Sequence, residues 1–570
     1  MKDGFKFRLR LIYFFLFLFS VVLITRLFFI QVIKGHSYQD LANQQYIASA
    51  AEYFDRGSIF FQDKNGQLIS AATVKNGFQL VINPKILKDL DDAYQKISKI
   101  IDINKDDFLR SAEKKDDPHE VIAHRLDNET AKKITDLKIK GVDVFSESWR
   151  YYPADNLASR VLGFVGYKDN TLIGRYGLEQ YYESVLARSK ENNFVNSFVE
   201  IFSDIKKTIS GSSEKGDLVL TIEPSVQSIL EKTLEKTAEK YKAQLAGGII
   251  MEPKTGKILA MAVNPDFNPN SYAENKDLSI FTNPLVENVY EMGSIMKPLT
   301  LAASLDQGKI TPDTTYENKG YVIIDTKKID NYDTSKSLGR VSMQEVLNQS
   351  LNSGAVFAME QMGREKFGEY LINYGLGEKT GIDLPAEVEG QLSNVLKSPR
   401  EIEYATASFG QGTAFTPLAM TSALSALANG GILMRPYIVE EIKTEEGADK
   451  KTEPQAKRQV LKKETSEAIS RMLAKVFDEA LMGGIYKMDH YSVATKTGTA
   501  QAIIEGEKGY QEGQFVHTFF GYAPAFDAKF LTFLFLVKPQ GVRYASQSLS
   551  EPFVNITKFL LNYYEIPPDR

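Results

Sequence analysis

From Leu11 to Ile33 the chain reads LIYFFLFLFSVVLITRLFFIQVI, about 23 residues with a single charge, Arg26. No other feature of the sequence restricts so firmly where the rest can fold. The run is long enough to cross a hydrocarbon core of about 30 Å. Arg26 lies near one end, where its long stem can carry the charge to a headgroup. The ten residues before it hold Lys2, Lys6, Arg8 and Arg10 against one aspartate. No small-x-small cleavage pattern follows closely, since Ala48-Ser49-Ala50 stands about 15 residues beyond the apolar run. An uncleaved anchor is therefore expected rather than a removed signal peptide. The basic flank keeps the N-terminus cytoplasmic and places everything after about residue 35 outside. No second run of this length occurs, which predicts a single-pass protein in the cell membrane with a large exported body.

The exported part is long enough for several domains: the chain has 570 residues, and roughly 150 per domain predicts two to four in all. Its composition, 43% hydrophobic and 25% charged, is that of a globular protein with ample core. Net charge is -5 and no dense basic stripe follows residue 10, which argues against nucleic-acid binding. There is no cysteine, so thiol catalysis, disulfides and cysteine-held metal are excluded. The five histidines, His36, His119, His124, His490 and His517, show no ligand spacing. No metal and no cofactor are expected.

Periodicity and turn residues divide the rest. HSYQDLANQQYIASAAEYFDRG reads as helix leading into extended chain. RGSIFFQDKNGQLISAA reads as a hairpin turning at Lys64-Asn65-Gly66. Residues 85–140 contain short charged helices, such as ILKDLDDAYQKISKII and NETAKKITDLKIKG. The polar stretch 189–216 reads as a loop or mobile insertion, and a boundary falls near 216. Beyond it LVLTI is a strand, and Pro224 opens a helix of about 17 residues with Val226, Ile229, Leu230 and Leu234 on one stripe. GGIIMEPKTGKILAMAV is an antiparallel hairpin. FVHTFFGYAPAFDAKFLTFLFLVK gives two more strands, and EPFVNITKFLLNYY an amphipathic closing helix. Helix, antiparallel strands, an all-helical middle, then strands and a helix predict an α+β domain whose one sheet uses both ends of the segment. Residues 440–460 read as a solvated loop. The expected division is 1–35 tail and anchor, 36–216 a non-catalytic pedestal, and 217–570 the catalytic domain.

Inside the last domain three short patterns occur in order. EMGSIMKP carries Ser294 and Lys297, NQSLNSG carries Ser350 and Asn352, and ATKTGTAQ carries Lys496, Thr497, Gly498 and Thr499. Singly none is informative. Ser-x-x-Lys recurs at Ser111/Lys114, Ser203/Lys206 and Ser212/Lys215, and Lys-Thr-Gly recurs at Lys254 to Gly256, after Pro253 in a turn, where it reads as structural. The order is the signal: Ser-x-Asn follows Ser294 by about 56 residues and Lys-Thr-Gly-Thr comes about 146 further on. This ordered triple resembles the signature of penicillin-binding proteins and class A β-lactamases.

Each residue type has a chemical reason. Ser294, after Gly293 at a helix start, would be the nucleophile. Lys297 lies one turn on, within reach of its hydroxyl. An ammonium is useless as a base, so Lys297 must be neutral when Ser294 attacks, through burial and the nearby charge of Lys496. Ser350 and Asn352 would stand across the cleft, one relaying a proton to the leaving amine and the other holding the substrate amide. Lys496 and Thr499 offer a charge and a hydroxyl to a terminal carboxylate, beside Thr497. Gly498 would let the substrate backbone approach the strand. The backbone N–H groups of Ser294 and Thr499 form the expected oxyanion hole.

Over nearly its whole length the chain resembles the class B penicillin-binding proteins, the monofunctional peptidoglycan transpeptidases. DRGSIFFQDKNGQLIS (Arg56, Gly57, Asp63, Asn65, Gly66), RYYPADNLASRVLGFVG (Arg150, Tyr152, Pro153, Gly163) and GRYGLEQYY (Gly177, Glu179) are similar to the family's pedestal. EPKTGKILAMAVNPDFNPNSY and FGQGTAFTPLAMTSALSALANGG are similar to its catalytic domain. Met292 stands where the family usually has proline, and Leu351 fills the variable place of the second motif.

The resemblance implies the penicillin-binding transpeptidase fold and acyl transfer from the D-Ala-D-Ala end of a stem peptide to a neighbouring amine. It also implies that β-lactams trap Ser294. No glycosyltransferase domain fits in 36–216, so the implied partners are a polytopic membrane glycosyltransferase and division-complex proteins. Length, DFNPNSY and FVHTFFGYAPAF look more like the septal branch than the side-wall, elongation branch. A β-lactamase, a penicillin-sensing receptor and a catalytically weak β-lactam-binding scaffold share the motifs. The uncleaved anchor and pedestal weigh against the first, the single anchor against the second, and the intact motifs against the third.

Overall fold

The computed structural model describes residues 17–23, 25–26, 54–168, 171–188, 215–335, 338–445, 447–503 and 509–570. The expected anchor, apart from helical residues 17–23 and 25–26, lies outside these residues, as do the expected helix after residue 36 and nearly all of the 189–216 insertion. Among the described residues no helix is long and apolar enough to cross a membrane.

Residues 74–149 form one compact unit. Asp89, Asn104 and Asp127 each turn a side-chain oxygen onto the first N–H groups of helices Leu90–Ile97, Lys105–Glu113 and Asn128–Asp136. These caps satisfy donors that a helix start leaves free. The second of the three helices had not been singled out in the sequence. Ala93, Ile97, Phe108, Ala112 and Ile134 on their inner faces meet Leu80, Ile82 and Leu126 from an antiparallel strand pair. The Ser111/Lys114 pair sits at the end of the middle helix, far along the chain from the other motifs.

Residues 56–73 and 150–570 form the other unit, which holds all three motifs. This grouping by contacts does not follow the order of the chain. Strand Ile59–Gln62 turns back into Leu68–Ile82 as expected, and also pairs in parallel with Gly216–Leu220. That strand in turn pairs with Val439–Thr444. The 440–460 segment is therefore not a solvated loop but supplies strands Val439–Thr444, Lys450–Lys451 and Ala456–Gln459. Its many charges occupy exposed and half-buried strand positions.

The main sheet is fully antiparallel and runs, edge to edge, Ala494–Ile503, Tyr510–Ala523, Phe530–Val537, Leu245–Met251 and Ile258–Asn264. The chain's two distant hairpins meet at Phe530–Val537. This central strand, FLTFLFLV, is buried on both faces, so it is apolar almost without alternation. Consecutive residues still part company by the two-residue period of a strand. Phe519 and Leu534 pack under helices Pro224–Tyr241 and Ala545–Tyr563, against Val226, Leu230 and Phe553. Phe520, Phe533 and Phe535 join the opposite core, with Leu299, Val356, Leu424 and Leu473 of the helical layer.

The helical middle was expected to be free of strands and is not. It contains the two-stranded ladders Thr315–Asn318/Gly339–Ser342, Tyr321–Ile324/Lys327–Asp330 and Ile432–Met434/Ala456–Gln459. Runs of three or four residues are too short for period to reveal them.

Candidate active site

The nucleophile turn is built around Gly293. Its φ of 60° lies where residues with a Cβ are strained, and its N–H donates to Gly410 O at 3.0 Å. A single 3-10 turn, Gly293–Met296, presents Ser294, and helix Lys297–Asp306 continues from it. Pro298 is tolerated in that first turn because its missing N–H has no helical partner there. One turn of helix therefore separates Ser294 from Lys297, and Lys297 Nζ stands 2.8 Å from Ser294 Oγ.

Lys297 is fully buried. Its Nζ also meets Ser350 Oγ at 3.0 Å and donates to Ser350 O at 2.6 Å. Burial holds the amine well below the ordinary lysine value, and the charge of Lys496 pushes it further down. Ser350 has a φ of 54°, unusual for a residue with a side chain, and in this conformation its carbonyl meets the lysine. Asn352 opens helix Asn352–Met362, and its Nδ2 donates to Asp330 O at 2.9 Å.

Lys496, Thr497 and Thr499 come from the edge strand Ala494–Ile503, beside the nucleophile turn. Lys496 Nζ donates to the Thr497 carbonyl at 2.9 Å, and burial pushes its pKa down to about 7. Thr499 Oγ1 accepts the Ala545 N–H at 3.1 Å, which leaves its own hydrogen available to a ligand. Ser294, Ser350, Asn352, Lys496, Thr497 and Thr499 together line a cavity of about 500 Å³. The three patterns, dispersed over two hundred residues of sequence, thus converge on one site.

Lys297 is buried, as expected of a lysine that must be neutral, and it is not among the residues lining the cavity. Gly498 is not among them either. A Cβ built on Gly498 would lie 2.7 Å from Met292 O and 3.0 Å from Ile295 N. The missing side chain lets the strand press against the nucleophile turn itself. A Cβ on Gly293 would likewise lie 2.9 Å from the Thr499 carbonyl, so the segments bearing the two expected oxyanion donors, Ser294 and Thr499, are in contact. Lys254 to Gly256 occupies the turn of the Leu245–Met251/Ile258–Asn264 hairpin, where Lys254 pairs with Asp527.

Sequence reasoning missed several groups around the cavity. Buried Glu291 accepts the Gly412 N–H at 2.9 Å and the Tyr510 hydroxyl at 3.1 Å. It ties the nucleophile turn to the Gly410–Gly412 loop and to strand Tyr510–Ala523, and burial raises its pKa. A glutamate three residues before the serine, inside an otherwise apolar stretch, was the available signal. Tyr332 and Tyr544 also line the cavity, with ring centroids 5.8 Å apart. Nothing in their sequence neighbourhoods marks them.

Two family descriptions match the chain: the penicillin binding protein transpeptidase domain over residues 246–558, and the penicillin-binding protein dimerisation domain over residues 52–216. The chain belongs to the penicillin-binding protein family, in its class B, with a transpeptidase domain behind a dimerisation domain. It is 32% identical over 564 residues to stage V sporulation protein D of Bacillus subtilis, covering 96% of this chain and 84% of that one. It is 26% identical over 565 residues to the peptidoglycan D,D-transpeptidase FtsI of Buchnera aphidicola, covering 97% and 94%. In fold it is similar to penicillin binding protein 2X from Streptococcus thermophilus, with a TM-score of 0.71, 19% identity, and coverage of 90% and 80%.

Proposed function

We propose that this chain is a penicillin-sensitive peptidoglycan D,D-transpeptidase working through a serine acyl-enzyme. The observation that carries the reading is the buried Lys297 amine, depressed in pKa and 2.8 Å from Ser294 Oγ. A lysine made neutral this way is a base at the nucleophile. Lys297 takes the Ser294 proton as Ser294 Oγ bonds to the carbonyl carbon of the penultimate D-alanine. The Ser294 and Thr499 N–H groups hold the oxyanion. The proton then passes from Lys297 through the Ser350 hydroxyl to the departing nitrogen, the C–N bond breaks, and D-alanine leaves. Asn352 holds the donor amide, while Lys496, Thr497 and Thr499 hold its terminal carboxylate. An amine of a second stem peptide attacks the ester and loses a proton to Lys297, which returns a proton to Ser294 Oγ as the ester C–O bond breaks.

The reading extends to place and partners. The apolar run 11–33 anchors the chain in the cell membrane with the N-terminus cytoplasmic and the catalytic unit outside. A polytopic membrane glycosyltransferase supplies the glycan strands, alongside division-complex proteins. The stretches DFNPNSY and FVHTFFGYAPAF support septal rather than side-wall synthesis. A fluorescent fusion is expected at midcell, and uniform side-wall signal would overturn that assignment.

The chemistry is tested by intact-mass spectrometry of residues 36–570 after exposure to benzylpenicillin, beside Ser294→Ala. A persistent one-to-one adduct in the wild type, absent from the variant, is expected. Rapid turnover without an adduct would instead mark a β-lactamase, and a folded protein that never reacts would mark a scaffold.

A further inference from the structure

The helix that carries the second motif starts badly by its own sequence. Leu351 occupies the N-cap of Asn352–Met362 and has no side-chain oxygen to offer the first N–H groups. The missing acceptor arrives from elsewhere. Asn331, directly after strand Lys327–Asp330, is 3% exposed, and its Oδ1 accepts the Ser353 N–H at 3.0 Å. Its Nδ2 donates to Asn318 Oδ1 at 3.1 Å, and its backbone N–H to Gly320 O at 2.9 Å. Ser353 Oγ stands 3.0 Å from Asn318 Oδ1 and 2.9 Å from the Tyr316 hydroxyl. A buried polar cluster this fully engaged holds one arrangement.

The residue before Asn331 holds the same helix start. The Asp330 carbonyl accepts from Asn352 Nδ2 at 2.9 Å. Two successive residues of one segment therefore grip two successive residues of the helix start: Asn331 on the Ser353 backbone, Asp330 on the Asn352 side chain. One Nδ2 hydrogen of Asn352 is committed, which stops its carboxamide from rotating. Its Oδ1 and remaining hydrogen stay free for the cavity that Asn352 lines. Asn331 itself does not line that cavity.

We propose that Asn331 is a positioning residue for the second motif, orienting the Asn352 carboxamide toward the side-chain amide of the acyl donor. This rests on the transpeptidase reading above. Recognition of a planar amide by a carboxamide depends on direction, so a rotated Asn352 loses donors that carry an amide and spares those that do not.

Second-order acylation rates separate the possibilities. They are measured for wild type, Asn331→Ala, Asn352→Ala and the double variant, with benzylpenicillin, which has a side-chain amide, and with 6-aminopenicillanic acid, which lacks one. Asn331→Ala is expected to slow benzylpenicillin about tenfold, as for one lost hydrogen bond. It should leave 6-aminopenicillanic acid within about twofold, and should add nothing to Asn352→Ala, as coupled sites do. Equal slowing of both compounds, or an additive loss in the double variant, would overturn the proposal in favour of a structural role. If Asn331→Ala does not fold, Asn331→Ser keeps a polar group there but is too short to hold the Ser353 N–H that Asn331 Oδ1 accepts. The same selective loss is expected of it, and unselective loss overturns the proposal equally. A wild type that resists acylation would defeat the reading of Ser294 instead.

Discussion

Lys297 Nζ has three partners, Ser294 Oγ, Ser350 Oγ and Ser350 O. A charged lysine has a hydrogen for each. The carbonyl accepts only, so after one proton is lost it keeps an N–H, and the lone pair must face one of the two hydroxyls. The Ser350 backbone thereby aims the base, at a conformational cost of order 1 kcal/mol for its positive φ. Burial is the larger cause of the depressed lysine and Lys496 the smaller. Removing a like charge makes protonation of Lys297 easier, so its pKa rises. In Lys496→Met the acid limb of the acylation rate is expected to move to higher pH. The maximal rate should also fall about tenfold or more as a charge-assisted contact to the substrate carboxylate is lost. A pH profile of benzylpenicillin acylation measures both, and an unmoved acid limb would show that Lys496 does not act on Lys297. These positions were legible from type and spacing. Asn331 and Glu291 were not, because their partners, Ser353, Asn318, Gly412 and Tyr510, are brought to them only by folding.

Among elements, the clearest unforeseen device joins the strand from Ile59, the strand ending at Tyr151 and the short helix Gly177–Tyr181. Glu179 is fully buried between two arginines, with Arg56 Nε on one carboxylate oxygen and Arg150 Nε on the other, each at 2.6 Å. Arg150 also donates to Gly57 O, and the Tyr152 hydroxyl to Glu179. The two arginine charges hold the Glu179 carboxyl below its usual range despite burial. Glu179→Gln keeps the shape but leaves buried Arg150 without its counter-charge and Arg56 with only Glu183, 2.7 Å from its Nη2, which costs roughly 3–5 kcal/mol. Its melting temperature is expected to fall by several degrees or more, followed by circular dichroism, and an unchanged melting curve would sink this account. Arg56, Arg150 and Glu179 were each picked out in the sequence by resemblance, but nothing in the chain said that they touch. The hairpins and long helices were legible for a simpler reason. Their apolar periods, turn residues and first-turn Pro224 act locally, over a few residues. The ladders of three or four residues were missed because so short a run carries no period.

Across the whole molecule, the class of protein, the order of the longer elements and the identity of the reacting groups were written in the chain before folding. Residue type, spacing and local period are properties of the chain before it folds. The grouping of residues 56–73 and 150–188 with the catalytic unit, and the parallel pairing of Ile59 with Leu218, arose with folding. Folding also decided that Gly498 gives room to the nucleophile turn at Met292 and Ile295, and that Lys297 Nζ comes within 2.8 Å of Ser294 Oγ. Strand pairing, close approach and burial depend on what arrives from distant parts of the chain. A lysine becomes a base here because of where folding puts it, since its pKa answers to the loss of water around it.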